Sequence, residues 1–339
     1  MKKKLRVGVL MGGPSAERAI SLLTGVAISK NLDPKKYEVL PIEVSKQGRL
    51  SLHKNILLNE KNPKHLDLST EKDKNRLDIV FIAMHGTPGE DGTVQGMLET
   101  LGIPYTGPNV LSSALAMNKV FAAQIYTVNG LPTPIFIHFK KDGWKTQKEK
   151  ILSDATQKIG YPAVLKPVDQ GSAVGVFIVK NEKELVTAID KTIKKFPWLM
   201  VQKFIKGQEA TCGILEKEGQ ILPLPPTRII ANKGEFYDYK SKYSKGGSTH
   251  ICPADFAPEI NEQIQNLAVQ AHRALGCRGM SRTDIFVADE KDAHGHNKLF
   301  IIETNTIPGM TATSLFPEAA GKIGISFSEM LDLIIKASL

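Results

Sequence analysis

Short apolar runs, each stopped by glycines, alternate with polar segments in the first hundred residues. Residues 5–11 form one such run, which ends at Gly12 and Gly13, and residues 78–84 form another, which ends in the glycine-rich segment 85–92. Apolar runs of this length between turn residues are typical of buried strands. We therefore predict two strands at these positions.

The segments next to these runs have helical periodicity. Ile20, Leu23 and Ala27 recur at a spacing that places them on one helix face, and a second helix is predicted over 93–101. Alternation of strand, loop and helix is typical of an α/β domain with a parallel sheet, which we expect to extend to about Gly107.

The remaining pattern predicts a mixed organisation. One helix is expected over 112–128, an amphipathic helix over 182–194, and strands over 163–166, 175–180 and 199–205. Further on, long antiparallel strands and helices are expected.

Two runs near the C-terminus, 280–289 and 298–304, are predicted to form a hairpin with the polar turn 290–297. The fold class is therefore α/β in the N-terminal part and α+β in the C-terminal half. We expect three parts, with boundaries at residues 1–108, 109–205 and 206–339.

The composition is that of an ordinary globular protein. The 339 residues are 42% hydrophobic and 23% charged, which provides a sizeable core and excludes a disordered chain. The apolar runs are too short to span a bilayer, and the run after the N-terminal lysines is shorter than a signal-peptide core. We expect a cytoplasmic protein with no membrane partner.

Charge and cysteine content narrow the function classes further. The 44 Lys and Arg residues against 35 Asp and Glu give a net charge of +9, but aromatic residues make up only 6%. Nucleic-acid proteins more often interleave basic and aromatic residues, so no nucleic-acid partner is expected. Solvated surface or a polyanionic ligand can account for the lysines. An odd number of cysteines without C-x-x-C spacing indicates reduced thiols: Cys212, Cys252 and Cys277.

The strongest candidate site lies on the predicted C-terminal hairpin. Glu303 and Asn305 are two residues apart on a strand, so both side chains leave the same face, and Asp284 can stand beside them. Carboxylate and amide oxygens form the hard site that Mg²⁺ prefers when it also holds phosphate. Arg282 shares this face, and the Pro-Gly segment 306–311 offers backbone N–H groups. An exposed strand face with ordinary charges is the alternative.

Two weaker candidates concern a nucleotide. Lys166 ends a predicted strand before the glycine hairpin 171–175, which could fold over phosphates, although glycine hairpins are common. The strand end at 202–205 could present backbone groups to an adenine, and Glu209 could take ribose hydroxyls. Neither pattern is specific alone.

Two loops complete the candidates. The segment 235–243 combines aromatic and charged residues, including Lys242 and Tyr243, and precedes two glycines. It is either a mobile functional loop or a surface loop with stacked tyrosines. Residues 12–17 form a tight turn before a helix N-terminus, where Glu17 is either functional or a simple first-turn acid.

Eight segments occur in order across nearly the whole chain: GGPSAER, MHGTPGEDGTVQGMLE, GIPYTG, SALAMNK, VLKPVDQGSAVGV, FYDYKSKY, GMSRTDIFV and IIETNTIPGMTATSLFP. Together they resemble the D-alanine–D-alanine ligase family of the ATP-grasp superfamily. The resemblance implies ATP-dependent ligation of two D-alanines through an acyl phosphate, for peptidoglycan precursor synthesis. It implies ATP and D-alanine as small-molecule substrates, three domains and a homodimer.

The resemblance also implies roles for individual residues. The nucleotide residues are, for the phosphates, Lys119 and Lys166 with help from Lys242 and, for adenine and ribose, Gln202, Lys203, Ile205 and Glu209. The ligands of two Mg²⁺ or Mn²⁺ ions are Asp284, Glu303 and Asn305.

The implied substrate residues form two groups. Arg282 and the N–H of Gly309 hold the tetrahedral oxyanion, and Ser314 and Leu315 contact the second D-alanine. The group at the first D-alanine comprises Glu17 and His85, and a hydrogen-bonded latch comprises Glu17, Ser172 and Tyr243.

The chain departs from the family pattern at two positions. Gln202 replaces the usual glutamate of the adenine hinge, and its amide oxygen can still accept from an adenine amine. Ala173 replaces the second serine of the usual GSSVG hairpin, which removes one hydroxyl near the phosphates but no N–H donor.

Three other functions stay open. They are a ligase with another acceptor, such as D-lactate or D-serine, another ATP-grasp carboxylate–amine ligase, and a non-catalytic nucleotide-binding module. In the resemblance, Tyr243 favours the dipeptide product. His250, seven residues further on, is the rival for a lactate-type switch, although we expect it in a solvated loop.

Overall fold

The computed structural model describes residues 3–55, 63–74, 76–231, 247–311 and 313–339. Its first sheet has five strands: β1 (Leu5–Gly12), β2 (Tyr37–Val44), β3 (Leu50–Leu52), β4 (Lys64–His65) and β5 (Ile79–Ile82). The helices of this region are α1 (Arg18–Asn31), α2 (Glu71–Lys74) and α3 (Thr93–Thr100).

The predicted parallel arrangement forms the centre of this sheet. The strand order is β4-β3-β2-β1-β5, and β1 pairs in parallel with both β2 and β5. At the edge, β2–β3 and β3–β4 are antiparallel. Residues 45–49, which join β2 to β3, are too few for the crossover that a parallel pair requires.

Helix α1 is buried through a face other than the apolar one that carries Leu23. Leu23 is 58% exposed, whereas the small residues Ser21 and Gly25 are buried. A Cβ at Gly25 would lie 2.5 Å from Met11 Sδ, and Ser21 Oγ accepts a hydrogen bond from Gly12 N at 2.8 Å. The helix therefore packs directly on β1 through small side chains, which hydrophobicity alone does not predict.

The single helix expected over 112–128 is two helices, α4 (Val110–Met117) and α5 (Lys119–Val128). Asn118 between them has extended backbone, and its side chain accepts from two N–H groups in the first turn of α5. The prediction of one continuous helix was wrong because this N-cap ends one helix and starts the next.

The second sheet is antiparallel and follows these helices. Its strands, in the spatial order β6-β9-β7-β8, are β6 (Phe136–Lys140), β7 (Ala163–Pro167), β8 (Phe177–Val179) and β9 (Trp198–Lys203). The helices that flank it are α6 (Lys141–Thr146), α7 (Lys148–Asp154), which continues as a π-helix over Ala155–Ile159, and α8 (Glu182–Thr192).

The third sheet is also antiparallel and has six strands: β10 (Gly207–Lys217), β11 (Gln220–Pro223), β12 (Thr227–Ala231), β13 (Ser248–Ile251), β14 (Met280–Lys291) and β15 (Asn297–Asn305). The main order is β13-β12-β10-β14-β15, with β11 paired to β10. The predicted C-terminal hairpin is β14–β15. The last helices are α9 (Pro258–Ala274), α10 (Leu315–Lys322) and α11 (Phe327–Lys336).

The C-terminal helices close the N-terminal core. Phe316 and Leu331 belong to the same buried cluster as Val7 of β1, and Tyr37 Oη donates to Asp332 Oδ1 at 2.6 Å. The first and third sheets are thereby held against each other. None of the helices in the described part of the chain combines the length and apolar content that crossing a bilayer requires.

Candidate active site

The register of the β14–β15 hairpin brings four predicted site residues together. Asp284 is directly opposite Glu303, and Arg282 is directly opposite Asn305. The intervening Thr283 and Thr304 are buried on the other face and hydrogen-bond to each other. This alternation is the reason that Arg282, Asp284, Glu303 and Asn305 share one face.

A β-bulge lies next to this cluster. Asp284 pairs with Glu303 but Ile285 pairs with Ile301, so Ile302 is an extra residue. Bulges re-aim side chains and are common beside active sites. Here Ile302 and Glu303, although consecutive, both line a cleft.

The Arg282 guanidinium is held by a carboxylate and a hydroxyl. Its Nε donates to Asp284 Oδ1 and to Thr211 Oγ1, each at 3.1 Å, and Nη2 donates to Asp284 Oδ2 at 3.2 Å. Thr211 also donates to Asp284 Oδ1 at 2.6 Å. Sequence reasoning missed Thr211, because only the register of β10 against β14 places it opposite Asp284.

Two adjoining clefts open on this cluster. Predicted site residues that line only the first cleft are Glu17, His85, Arg282, Asn305, Gly309, Ser314 and Leu315. Those that line only the second cleft are Lys166, Gln202, Lys203, Ile205, Glu209 and Asp284. Both clefts share Lys119, Gly171, Ser172 and Glu303, which form their junction. Two further predicted residues, Lys242 and Tyr243, lie outside the described residues.

Two lysines lie close together at the junction and in the adjoining wall of the second cleft. Lys119 Nζ is 3.2 Å from Glu303 Oε2 and donates to Gln170 O at 2.7 Å. Burial, and then the charge of Lys119, lower the pKa of Lys166 to about 8, although Glu303 opposes the shift. A polyanion at the junction would relieve the repulsion between these two ammonium groups.

The glycine hairpin closes over the junction. Ser172 and Ala173 have φ of 50° and 57°, and Val174 N donates to Gly171 O at 3.1 Å, which gives a type I′ turn. Ser172 Oγ also donates to the Glu17 carboxylate. The hairpin of the second sheet is thereby joined to the α1 turn of the first.

Two buried titratable groups line the first cleft. His85 Nε2 lies 3.0 Å from Thr24 Oγ1, and burial, more than any other cause, lowers the pKa of His85. Glu90 is 8% exposed and accepts from Gly86 N at 2.6 Å. Burial and then the charge of Glu17 raise the pKa of Glu90 to about 8, although the N–H of Gly86 and the charge of Arg282 oppose the shift.

Sequence reasoning assigned no role to Glu90. The indication was available, since this acid stands in the turn of MHGTPGEDG, within a segment that otherwise matched as a whole. The sequence does not show that Glu90 lies beside Asn305, because the two residues are far apart along the chain.

The N-terminus of α10 also borders the first cleft. Ser314 precedes the helix, Leu315 is its first residue, and Ser314 Oγ accepts from Thr311 N at 2.9 Å. A Cβ at Gly309 would lie 3.0 Å from this hydroxyl. A helix N-terminus beside a glycine backbone favours an anionic group.

Gln202 is buried, and His250 lies on a strand. Gln202 is 3% exposed, and its Nε2 donates to Pro134 O at 3.4 Å, so its Oε1 is the acceptor atom of this side chain at the second cleft. His250 is not in a solvated loop: it lies on β13, within 3.1 Å of Ser248 Oγ, and faces Glu318. It lines neither of the two clefts.

The chemistry of the hairpin donors fits a hard divalent cation. Asp284 and Glu303 supply carboxylates, Asn305 supplies an amide oxygen, and a cationic group, Lys119, already lies against Glu303. No group of three or more His, Cys, Asp or Glu side chains in the described ranges could hold a metal by itself. Phosphate oxygens would have to complete the coordination.

A cleft between two antiparallel sheets, with two lysines in its lining and paired acids on a hairpin at one wall, is the arrangement of an ATP-grasp enzyme. The family models described as D-ala D-ala ligase N-terminus and C-terminus match residues 6–108 and 125–336. The chain therefore belongs to the D-alanine–D-alanine ligase family.

Individual relatives agree with this assignment. A D-alanine–D-alanine ligase from Syntrophobacter fumaroxidans is 40% identical over 99% of this chain and 98% of its own length. The solved VanG D-Ala:D-Ser ligase from Enterococcus faecalis is 31% identical, with a TM-score of 0.86 over 99% of this chain and all of that one. A Bacillus anthracis D-alanine–D-alanine ligase complexed with ATP is 33% identical, with a TM-score of 0.76 over 98% and 97% of the two chains.

Proposed function

We propose that this chain joins two D-alanines to D-alanyl-D-alanine through an acyl phosphate, using ATP and Mg²⁺ or Mn²⁺. The observation that carries the proposal is the junction of the two clefts. A nucleotide in the second cleft would direct its terminal phosphate to the junction, and a carboxylate in the first cleft would meet it there. Family membership places the reaction in peptidoglycan precursor synthesis.

The nucleotide roles follow from position. Gln202, Lys203 and Ile205 lie where β9 ends, and would bind adenine, while Glu209 would bind ribose. Lys119 and Lys166 line the second cleft and would bind the phosphates, with help from Lys242. The Ser172–Ala173 turn would cover the phosphates with its N–H groups.

Asp284, Glu303 and Asn305 would hold the metal ions, and two ions are expected. When bound, they would neutralise the charge of the transferring phosphoryl group. Lys119, now paired with Glu303, would be released toward the phosphates at the same time.

The first D-alanine would lie between Glu17 and His85, with its carboxylate at the junction. Glu17 can pair with the ammonium group. An oxygen of the carboxylate attacks the γ-phosphorus, ADP leaves, and an acyl phosphate forms. The carboxylate thereby gains a leaving group that the next step needs.

The second D-alanine would place its carboxylate at Ser314 and Leu315, on the N-terminus of α10. Its amine, after losing a proton, attacks the acyl carbon. Arg282 and the N–H of Gly309 would stabilise the oxyanion, after which inorganic phosphate leaves and the peptide bond is complete. Closure of the Glu17–Ser172–Tyr243 latch would exclude water from the acyl phosphate.

We further propose a cytoplasmic homodimer of three-domain chains, with parts at 1–108, 109–205 and 206–339. The separate second sheet, confined to 136–203, supports a distinct central part.

The direct test is phosphate release from ATP against a panel of D- and L-amino acids and D-hydroxy acids. D-alanine alone should support turnover, with the dipeptide as product. D-serine belongs in the panel because the similar VanG protein is named a D-Ala:D-Ser ligase. Turnover that needs a different carboxylate and amine would contradict the proposal.

Replacing Lys166 by alanine should weaken ATP binding roughly ten- to a hundredfold. A charge-assisted hydrogen bond contributes about 1.5–3 kcal/mol, and Lys166 is buried in the wall of the second cleft. Titration calorimetry with ATP measures the change, and Lys180→Ala, at an exposed position next to the same sheet, is the matched control. An unchanged ATP affinity would refute the phosphate role.

ATP binding should take up a proton above about pH 8. Because the pKa of Lys166 is lowered to about 8 in the free protein, its ammonium is lost as pH rises through this value, and bound phosphates would restore it. Affinity should therefore fall on the alkaline side. Calorimetry in two buffers of different ionisation enthalpy measures the uptake, which Lys166→Arg should remove. The same proton uptake in that variant would assign it to another group.

Tyr243 should favour the dipeptide over a depsipeptide. This prediction rests on the sequence, since Tyr243 lies outside the described residues. A neutral phenol leaves the Glu17 charge to favour zwitterionic D-alanine over anionic D-lactate. With equal D-alanine and D-lactate, D-alanyl-D-alanine should dominate from mildly acidic to alkaline pH. Dominant formation of D-alanyl-D-lactate at neutral pH would contradict the predicted dipeptide selectivity. An unchanged rate in Tyr243→Phe would contradict the latch role of Tyr243.

A further inference from the structure

We propose that Arg18 is a positioning residue that fixes the turn before α1 and so aims the Glu17 carboxylate at the ammonium group of the first D-alanine. The inference rests on the role proposed above for Glu17. It extends the substrate site to a network of three side chains that line neither cleft: Arg18, Glu43 and His53.

The Arg18 guanidinium ties the turn to the end of the neighbouring strand β2. Nη1 donates to Val44 O at 2.5 Å and to Gly13 O at 3.2 Å, and Nη2 donates to Glu43 Oε1 at 2.5 Å. His53 is 4% exposed, and its Nε2 lies 3.1 Å from the other oxygen of Glu43. The guanidinium is therefore bonded both to the turn and to the strand beside it.

The turn needs this support because it begins with two glycines. Gly12 and Gly13 have φ of 96° and 90°, a conformation that glycine adopts readily and other residues rarely do. A Cβ at Gly12 would lie 2.6 Å from Arg18 Nη1 and 2.6 Å from Val44 O, so the guanidinium packs against bare backbone. Glycine loses more conformational freedom on ordering than any other residue, and the hydrogen bonds of the arginine offset part of that cost.

Helix stability does not explain an arginine at this position. Arg18 is the first residue of α1, and a positive charge is unfavourable at a helix N-terminus because the helix dipole is positive there. The first turn, residues 18–21, contains no acid that could compensate. The Glu43 carboxylate on β2 compensates instead. The network around β2, and not the helix that it begins, thus accounts for Arg18.

Glu17 is held from two sheets. Its carboxylate lines the first cleft and accepts from Ser172 Oγ, on the glycine hairpin of the second sheet. Arg18, the next residue, is bonded to the end of β2 in the first sheet. When the latch opens and Ser172 withdraws, the bonds of Arg18 still hold the turn. Glu17 therefore stays preorganised for the first D-alanine, which lowers the cost of binding it.

Arg18→Met should raise the KM for D-alanine at one of its two subsites. Loss of a charge-assisted hydrogen bond to an ammonium group corresponds to a roughly ten- to hundredfold effect, which is the rise expected for Glu17→Gln. Arg18→Met keeps the Glu17 carboxylate but removes its anchor, so we expect a rise of roughly tenfold in the same constant. The KM for ATP should not change, because Arg18 does not line the second cleft.

A double-mutant cycle separates positioning from a general loss of structure. If Arg18 acts through Glu17, Glu17→Gln/Arg18→Met should raise the KM no further than Glu17→Gln alone, whereas two independent effects would multiply. Arg6→Met is the matched control. Arg6 lies near the opposite end of β1, and its ion pair with Asp78 is comparably buried, with the arginine side chain 28% exposed against 21% for Arg18.

The experiment measures phosphate release with ATP and D-alanine varied separately, and the D-alanine dependence is fitted to two subsites. Thermal melting of each full-length variant shows whether it is folded. Arg18→Met should raise the same D-alanine constant as Glu17→Gln, and Arg6→Met should leave both constants at their wild-type values. An unchanged constant in Arg18→Met, an equal rise in Arg6→Met, or multiplied effects in the double variant would refute the positioning role.

A second variant covers the case in which Arg18→Met does not fold. Arg18→Lys keeps the charge and the aliphatic stem, but a single ammonium cannot reproduce the fork that bonds Val44 O, Gly13 O and Glu43 together. Its D-alanine constant should also rise, and a wild-type value would equally refute the positioning role. Absence of D-alanine-dependent phosphate release in the wild type would instead overturn the proposed function on which the inference rests.

Discussion

Glu303→Gln should lower ATP turnover by more than about 100-fold, since even outer-shell partners of a metal contribute 10–100-fold. The side chain lies at the junction of the two clefts, opposite Asp284 and 3.2 Å from Lys119 Nζ. Glutamine keeps the size but loses the charge that a bridge between metal and phosphate needs. D-alanine-dependent phosphate release measures the effect.

The fold should survive this change, because Glu303 is partly exposed at a cleft and its ion pair with Lys119 is not a core contact. An unaltered melting temperature together with lost turnover is the expected pair of results. Glu290→Gln, on the distal end of the same hairpin, is the matched control. Wild-type turnover in Glu303→Gln, or wild-type activity in excess chelator, would remove the metal assignment.

Arg282→Ala should lower kcat by roughly 10²–10³, the loss typical of one oxyanion donor. Its guanidinium is held rigid by Asp284 and Thr211, which is the preorganisation that transition-state stabilisation requires. Because the oxyanion exists only after the amine attacks, ATP affinity should change much less than kcat.

Steady-state kinetics with ATP and D-alanine varied separately measure this split. Arg273→Ala, which removes an exposed arginine of α9, is the control for loss of one positive charge. A change confined to the KM for ATP would move Arg282 out of the oxyanion role and into nucleotide binding.

Local periodicity predicted the cluster of four polar residues on the β14–β15 hairpin. The period of two along a strand places Glu303 with Asn305 and Arg282 with Asp284, and the antiparallel hairpin then sets them opposite each other. The family and the ATP-grasp fold, predicted from eight ordered segments, are confirmed by the family models and the solved relatives.

Features that depend on packing or on distant pairing were not predictable in this way. The buried face of α1 is set by the close approach of Gly25 to Met11, and the break at Asn118 is set by a side-chain cap. Thr211 and Glu90 enter the site only through the pairing of β10 with β14 and the contact between two sheets.

The central claim is that ATP activates the carboxylate of the first D-alanine by phosphorylating it. D-alanine labelled with ¹⁸O in its carboxylate tests this claim directly, by mass spectrometry of the released phosphate and the dipeptide. If an acyl phosphate forms, each phosphate released should carry one ¹⁸O atom taken from the carboxylate, in a one-to-one ratio to dipeptide. Dipeptide formation with unlabelled phosphate would contradict the account.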